Sequence, residues 1–95
     1  MTLEELKARR EQILAVARRH GAYDLRVFGS VARGEADRGS DVDFLVALEP
    51  GRSLLDLGGP LMDLRDVLGC EVGAVTEAGL RPRVRERVVR EATPL

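Results

Sequence analysis

The sequence predicts an α/β domain, more closely α+β, in which helices pack on a small mixed β-sheet of three to four strands. Three observations carry that expectation. Segments with helical hydrophobic spacing alternate with short apolar runs of strand length. Glycine and proline fall where elements must end. A chain of 95 residues can build one core of two layers but not two cored units, so 1–95 reads as a single domain.

The elements follow in order. Thr2 and Glu5 have the spacing of a capping box. Leu3, Leu6, Ile13, Leu14 and Ala17 then recur at helical intervals up to Gly21, a C-cap residue type. A helix over 3–20 is expected. The apolar run 25–28, closed by Gly29, predicts a strand. Residues 31–39 hold Gly34 and Gly39 among charges and predict a turn of helix followed by a loop. Residues 41–48 become continuously apolar after their first positions, the pattern of a central strand buried on both faces, and Pro50-Gly51 ends it. Ser53 can cap a helix carrying Leu54, Leu57, Leu61, Leu64 and Leu68, with Gly69 as its stop. Gly58-Gly59-Pro60 predicts a kink or break inside it, because proline has no N–H to donate. Residues 71–75 form a third short strand. Leu80, Val84 and Val88 mark one face of a last helix studded with Arg81, Arg83, Arg85, Arg87 and Arg90. The expected order is αβ(α)βαβα.

Composition excludes several classes. The hydrophobic fraction is 44% and the charged fraction 33%, neither disordered nor membrane-like. No apolar run approaches the length of a spanning helix. The opening ten residues are too polar for a secretory signal, which points to the cytoplasm. Cys70 is the only cysteine, which excludes an internal disulfide and a cysteine-built metal site. The formal charge of -1, from 15 basic and 16 acidic residues, argues against direct nucleic-acid binding. So does the scarcity of aromatics, with Tyr23, Phe28 and Phe44 alone. Lys7 is the one lysine among many arginines. Arginine forks suit phosphates and carboxylates, although a GC-rich genome gives the same bias.

The chemistry concentrates between Gly29 and Asp43. Asp41 and Asp43 stand two apart on an expected strand and so share a face. Like charges so close raise one pKa unless a cation intervenes. Oxygen ligands on a short site favour Mg²⁺ or Mn²⁺, commonly with substrate phosphates. A solvated strand entry is the plainer reading of the pair. It is weakened because the pair opens the most apolar strand in the chain and follows Gly29-Ser30 at a strand-to-helix junction. Gly29 admits close backbone approach, and free amides with the Ser30 hydroxyl can bind phosphate. An ordinary turn with Ser30 as N-cap fits that dipeptide equally. Arg33, one turn on, can reach a phosphate or sit as a surface arginine.

Taken together, Gly29-Ser30, Arg33-Gly34 and Ser40-Asp41-x-Asp43 resemble the signature of the DNA polymerase beta nucleotidyltransferase superfamily. The ten-residue gap between Gly-Ser and Asp-x-Asp is similar to that of its minimal members, the MNT proteins. The resemblance spans nearly the whole chain. It implies the polymerase beta-like nucleotidyltransferase fold and Mg²⁺-dependent transfer of a nucleoside monophosphate from a triphosphate, with ATP as donor. It also implies a toxin–antitoxin pairing with a helical HEPN-domain toxin, which some members adenylylate on a tyrosine hydroxyl. By the same resemblance Gly29 and Ser30 hold the triphosphate, Asp41 and Asp43 are catalytic and bind metal, and Arg33 and Ser40 join the nucleotide-binding set.

One position departs from that pattern. The family carries a third carboxylate on the next strand, where this chain has Gly73. Glu71, two residues earlier on the same strand face, is one methylene longer than aspartate and is the minor alternative as a substitute, beside a slow or absent chemical step and a base supplied by a partner. An antitoxin that binds nucleotide and masks its toxin without catalysis is therefore the second expectation, and an RNA or DNA accessory domain the third and weakest. His20 reads as a helix C-terminal dipole partner, and Cys70 as a buried, inert thiol. Met62 reads as core or partner surface. The C-terminal arginines form either a solvated helix face or a docking surface.

Overall fold

The computed structural model describes residues 1–37 and 39–95, without the side chains of residues 54 and 55. The expected apolar role of Leu54, and residue 38 of the expected loop, lie outside the described residues. The elements are α1 (Leu3–Ala8), α2 (Arg10–Arg19), β1 (Ala22–Phe28), α3 (Ser30–Arg33), β2 (Val42–Leu48), α4 (Gly58–Leu68), β3 (Val72–Val75), α5 (Pro82–Glu91) and β4 (Thr93–Pro94). Short 3₁₀ turns precede α4 and α5, at Leu54–Leu57 and Glu77–Gly79. The sheet is mixed, with strand order β3-β2-β1-β4. β1 runs antiparallel to both β2 and β4, and β3 runs parallel to β2.

The long first helix divides at Arg9. Thr2 Oγ1 accepts the Glu5 N–H at 3.2 Å, as the capping pattern requires. At Arg9 the backbone leaves the helical region and α2 starts afresh. The break frees two arginines for distant carbonyls. Arg9 Nη1 donates to the Val67 oxygen at 2.7 Å, and Arg10 Nε donates to the Leu95 oxygen at 2.8 Å. Neither bond can be read from hydrophobic spacing. Gly21, with φ of 75°, closes α2 where expected.

β1 begins three residues before the expected strand. Its pairing with β2 shifts between Tyr23 and Arg26, and Asp24 has φ of 53°. That is a bulge, and Asp is among the few residues that tolerate such a φ. β2 is central, as its composition predicts, but starts at Val42, so Asp41 precedes the strand rather than belonging to it. The Gly58-Gly59-Pro60 break is real: 3₁₀ geometry gives way to α4 at Gly58, and Pro60 falls in the first turn, where a missing N–H costs nothing. α5 starts at Pro82, so Leu80 lies before it and outside the expected helical face, and Val84 is exposed. β4, two residues long, has no signal in the sequence.

The core lies between the helices and one face of the sheet. Leu6, Ile13, Val16 and Ala17 from the first two helices meet Leu64 and Leu68 of α4 over Val27, Val42, Phe44 and Val72. Strand alternation puts Asp43 and Leu45 on the opposite face from Val42 and Phe44. Leu45 and Val88 are buried outside the main cluster. No helix among the described residues is long and apolar enough to cross a membrane.

Phe44 is fully buried at the middle of the central strand. Phe44→Ala is expected to cost about 3–5 kcal/mol, a large share of a small domain's stability. A urea titration followed by circular dichroism will show a much lower midpoint or no folded baseline.

Candidate functional site

The site forms where three elements meet at one end of the sheet. Antiparallel register sets Phe28 of β1 beside Asp43, and parallel register sets Gly73 of β3 on its other side. The chain leaves β1 through Gly29 directly into α3. Gly29 has φ of 78°, and a Cβ built there would stand 2.5 Å from Asp43 Oδ2. The backbone conformation favours glycine, and a side chain there would also displace the Asp43 carboxylate. On the other flank a Cβ at Gly73 would lie 3.3 Å from Asp43 Oδ1. The Asp43 carboxylate is thus seated between two positions that lack side chains.

Burial raises the Asp43 pKa above the ordinary carboxylate value, and the negative charges of Asp41 and Glu91 push it further. Arg33 acts in the opposite direction. Asp41 is exposed just ahead of the strand, where the Val42 N–H donates to the Glu71 carbonyl at 3.0 Å. The pair therefore consists of one half-buried and one solvated carboxylate, close enough to repel.

Gly29, not Ser30, is the N-cap of α3, and Ser30 is its first residue. Among the described residues the Ser30 hydroxyl forms no hydrogen bond. Arg33 ends α3 and is held by two acids: Nε donates to Glu35 Oε2 at 3.0 Å and Nη1 to Glu91 Oε1 at 2.5 Å. These contacts, Glu35 first, hold the guanidinium in its charged form. Ser40 is the outlier of the expected set. Its hydroxyl donates to Asp37 Oδ1 at 3.2 Å and accepts the Asp37 N–H at 3.0 Å, so it shapes the turn that delivers Asp41. The structure brings Gly29, Ser30, Arg33 and Asp43 together, places Asp41 within electrostatic range, and ties Ser40 to a neighbouring turn.

Glu71 does not take the place of the missing third carboxylate. It lies before β3, is largely exposed, and pairs with Arg65 of α4 at 3.3 Å. It is not among the charges acting on Asp43. The physical reason is local: Arg65 offers a partner on the solvent side, whereas the sheet face beside Asp43 offers another negative charge. Among the described residues no group of three or more His, Cys, Asp or Glu is arranged to hold a metal ion. Two carboxylates, one partly desolvated and repelled by the other, do fit a single hard cation whose remaining ligands come from phosphates and water.

Glu91 is the residue that sequence reasoning missed. It ends α5, and its Oε1 accepts the Gly29 N–H at 2.9 Å as well as the Arg33 guanidinium. One signal was available: an acid in the last turn of a helix opposes the helix dipole. Its partners, some sixty residues away, were not visible in the sequence. The remaining residues have structural roles. His20 caps α2 and donates from Nε2 to Asp63 Oδ2 of α4 at 2.9 Å. Cys70 is half-buried, and burial pushes its thiol above the ordinary range, which suppresses thiolate chemistry. Met62 is exposed and outside the core.

Comparison with known proteins gives the family and the fold. Residues 9–95 match the nucleotidyltransferase domain family. A protein of Methanocaldococcus jannaschii assigned as a protein adenylyltransferase, MJ0435, is 37% identical over 97% of this chain and 96% of its own length. The protein adenylyltransferase MntA of Thermococcus cleftensis is 38% identical over 96% of this chain and 93% of its own. A solved structure designated a minimal nucleotidyltransferase superposes with a TM-score of 0.86 at 57% identity, covering 100% of this chain and 97% of that one. A toxin–antitoxin crystal structure with AMP-PNP shares the fold, with a TM-score of 0.76 at 20% identity over 88% of this chain and 69% of that one.

The raised Asp43 pKa has a definite sign for stability. In the ion-free protein its favourable contribution is present while the carboxyl is protonated and is lost as pH rises through the elevated value. Asp43→Asn is therefore expected to melt a few degrees higher than the parent chain at neutral pH, with the gap closing on acidification. Thermal unfolding from about pH 4 to 8 checks this.

Proposed function

The chain belongs to the nucleotidyltransferase domain family, and from that membership we propose that it is a protein adenylyltransferase. It transfers AMP from ATP to a hydroxyl of a partner protein, as the cytoplasmic antitoxin of a toxin–antitoxin pair whose toxin is of the helical HEPN type. The observation that carries this reading is the seating of Asp43 against Gly29, with Asp41 before it and Arg33 one turn beyond. That arrangement gathers two carboxylates, a backbone N–H and a guanidinium at one end of the sheet, the chemistry that suits a metal-bound polyphosphate, with the N–H and the guanidinium held by Glu91. The adenylyltransferase names of the two curated relatives support the choice of AMP as the transferred group.

In this reaction the acceptor hydroxyl gives up its proton to solvent, its oxygen forms a bond to the α-phosphorus, the bond from the α-phosphorus to the oxygen bridging to the β-phosphate breaks, and pyrophosphate leaves with that oxygen. Asp41 and Asp43 are the residues that would hold Mg²⁺ or Mn²⁺, whose chemistry is to neutralise charge on the phosphates. Gly29 offers its N–H and, by lacking a side chain, lets the triphosphate approach Asp43. Ser30 contributes an uncommitted hydroxyl, Arg33 a charge-assisted donor, and Ser40 the turn that presents Asp41. Incubation with labelled ATP, Mg²⁺ and the protein encoded beside it is expected to label that partner, and Asp41→Ala is expected to abolish the label. A partner left unlabelled by the parent chain would overturn the assignment.

Gly73 favours a second reading, a nucleotide-binding antitoxin that neutralises by masking and transfers slowly or not at all. No side chain at 73 can act as base, and Glu71 is engaged elsewhere. Gly73→Asp separates the two. If the site is a depleted enzyme, the substitution should raise transfer by about 10²–10⁴-fold, the usual worth of a general base. The ion-free variant should also melt lower, because it adds a carboxylate where a Cβ already stands 3.3 Å from Asp43 Oδ1. Unchanged transfer with the toxin still neutralised supports masking.

A further inference from the structure

A groove of about 320 Å³ opens beside Gly29, lined by Phe28, Gly29, Arg33, Arg87, Val88 and Glu91. The Glu91 side chain is 20% exposed, and its single oxygen Oε1 takes both the Gly29 N–H and the Arg33 guanidinium. Arg87 stands one helical turn before Glu91 on the same groove, and among the described residues it has no ion pair. Glu91 thus turns away from the arginine on its own helix and reaches across to the end of β1. It does so from the last turn of α5, where a negative charge is unfavourable. The two donors across the groove are what hold it there.

To an amide and a guanidinium, a carboxylate oxygen and a phosphate oxygen present the same chemistry. We infer that Glu91 is an internal stand-in for phosphate. It occupies the Gly29 N–H and Arg33 in the nucleotide-free protein, and the terminal phosphates of the nucleotide displace it, with Arg87 supplying a second guanidinium to them. The inference rests on the nucleotide-binding reading above and adds to it a competitor built into the chain and a residue for the phosphate tail. The competitor keeps Arg33 oriented before ligand arrives and lowers apparent affinity by the fraction of time it holds the seat.

Calorimetric titration of the full chain with Mg²⁺–ATP, and separately with Mg²⁺–pyrophosphate, tests this. Glu91→Gln keeps an acceptor of the same length but removes its charge. It should tighten both ligands about 5-fold, and Arg87→Gln should weaken both by about as much. Glu91→Asp, too short to reach both donors, should also tighten them, and covers the case in which the glutamine variant does not fold. Looser binding in both Glu91 variants would overturn the inference, because Glu91 would then support the ligand rather than compete with it. Unchanged binding in them would overturn it equally. If the parent chain binds and Asp43→Asn weakens that binding while the Glu91 variants behave as parent, the stand-in fails and the nucleotide reading survives. If neither the parent chain nor the Glu91 variants bind either ligand, both fail.

Discussion

The whole site depends on one packing constraint: the chain must turn out of β1 directly against the carboxylate of Asp43 on the central strand. Gly29 makes that turn possible, and Gly73 leaves the other flank of Asp43 open. A residue with a side chain at position 29 would press on the carboxylate and would have to adopt a left-handed backbone as well. The requirement propagates outward. Gly29 turns β1 directly into α3, α3 delivers Arg33, and Arg33 meets the acid at the end of α5. A short stretch of backbone geometry thereby sets the positions of groups that are remote in sequence.

The two flanking glycines differ in kind. At Gly29 the left-handed backbone favours glycine, and a Cβ placed there would stand 2.5 Å from the Asp43 carboxylate and displace it. At Gly73 the predicted contact of 3.3 Å is tight but not prohibitive, and the backbone there is ordinary strand. Nothing in the packing demands glycine at 73. It is the position at which this chain departs from the three-carboxylate pattern that its motif resembles.

Much of the fold was legible because it follows from local rules. The leucine and isoleucine spacing of the first helix, the apolar run around Phe44 and the glycine stops each act within a few residues. The departures come from interactions across the fold. The break at Arg9 serves carbonyls of α4 and of the C-terminus. The bulge at Asp24 lengthens β1 beyond its apolar part. β4 exists only because β1 is there to receive it. The candidate site divides in the same way. Gly29, Ser30, Arg33, Asp41 and Asp43 form a compact motif and were readable. The commitment of Ser40 to Asp37, the pairing of Glu71 with Arg65 and the reach of Glu91 to Gly29 depend on where side chains meet after folding.

The attachment of α5 has a practical meaning. Immediately after Glu91 the chain pairs with β1 through Thr93, the Leu95 N–H donates to the Leu25 carbonyl at 3.1 Å, and the Leu95 oxygen receives Arg10. These last residues clip the end of α5 to the sheet edge and so fix the angle from which its final acid crosses the groove. A change in residues 93–95 therefore reaches Gly29 and Arg33 through Glu91 without touching either of them.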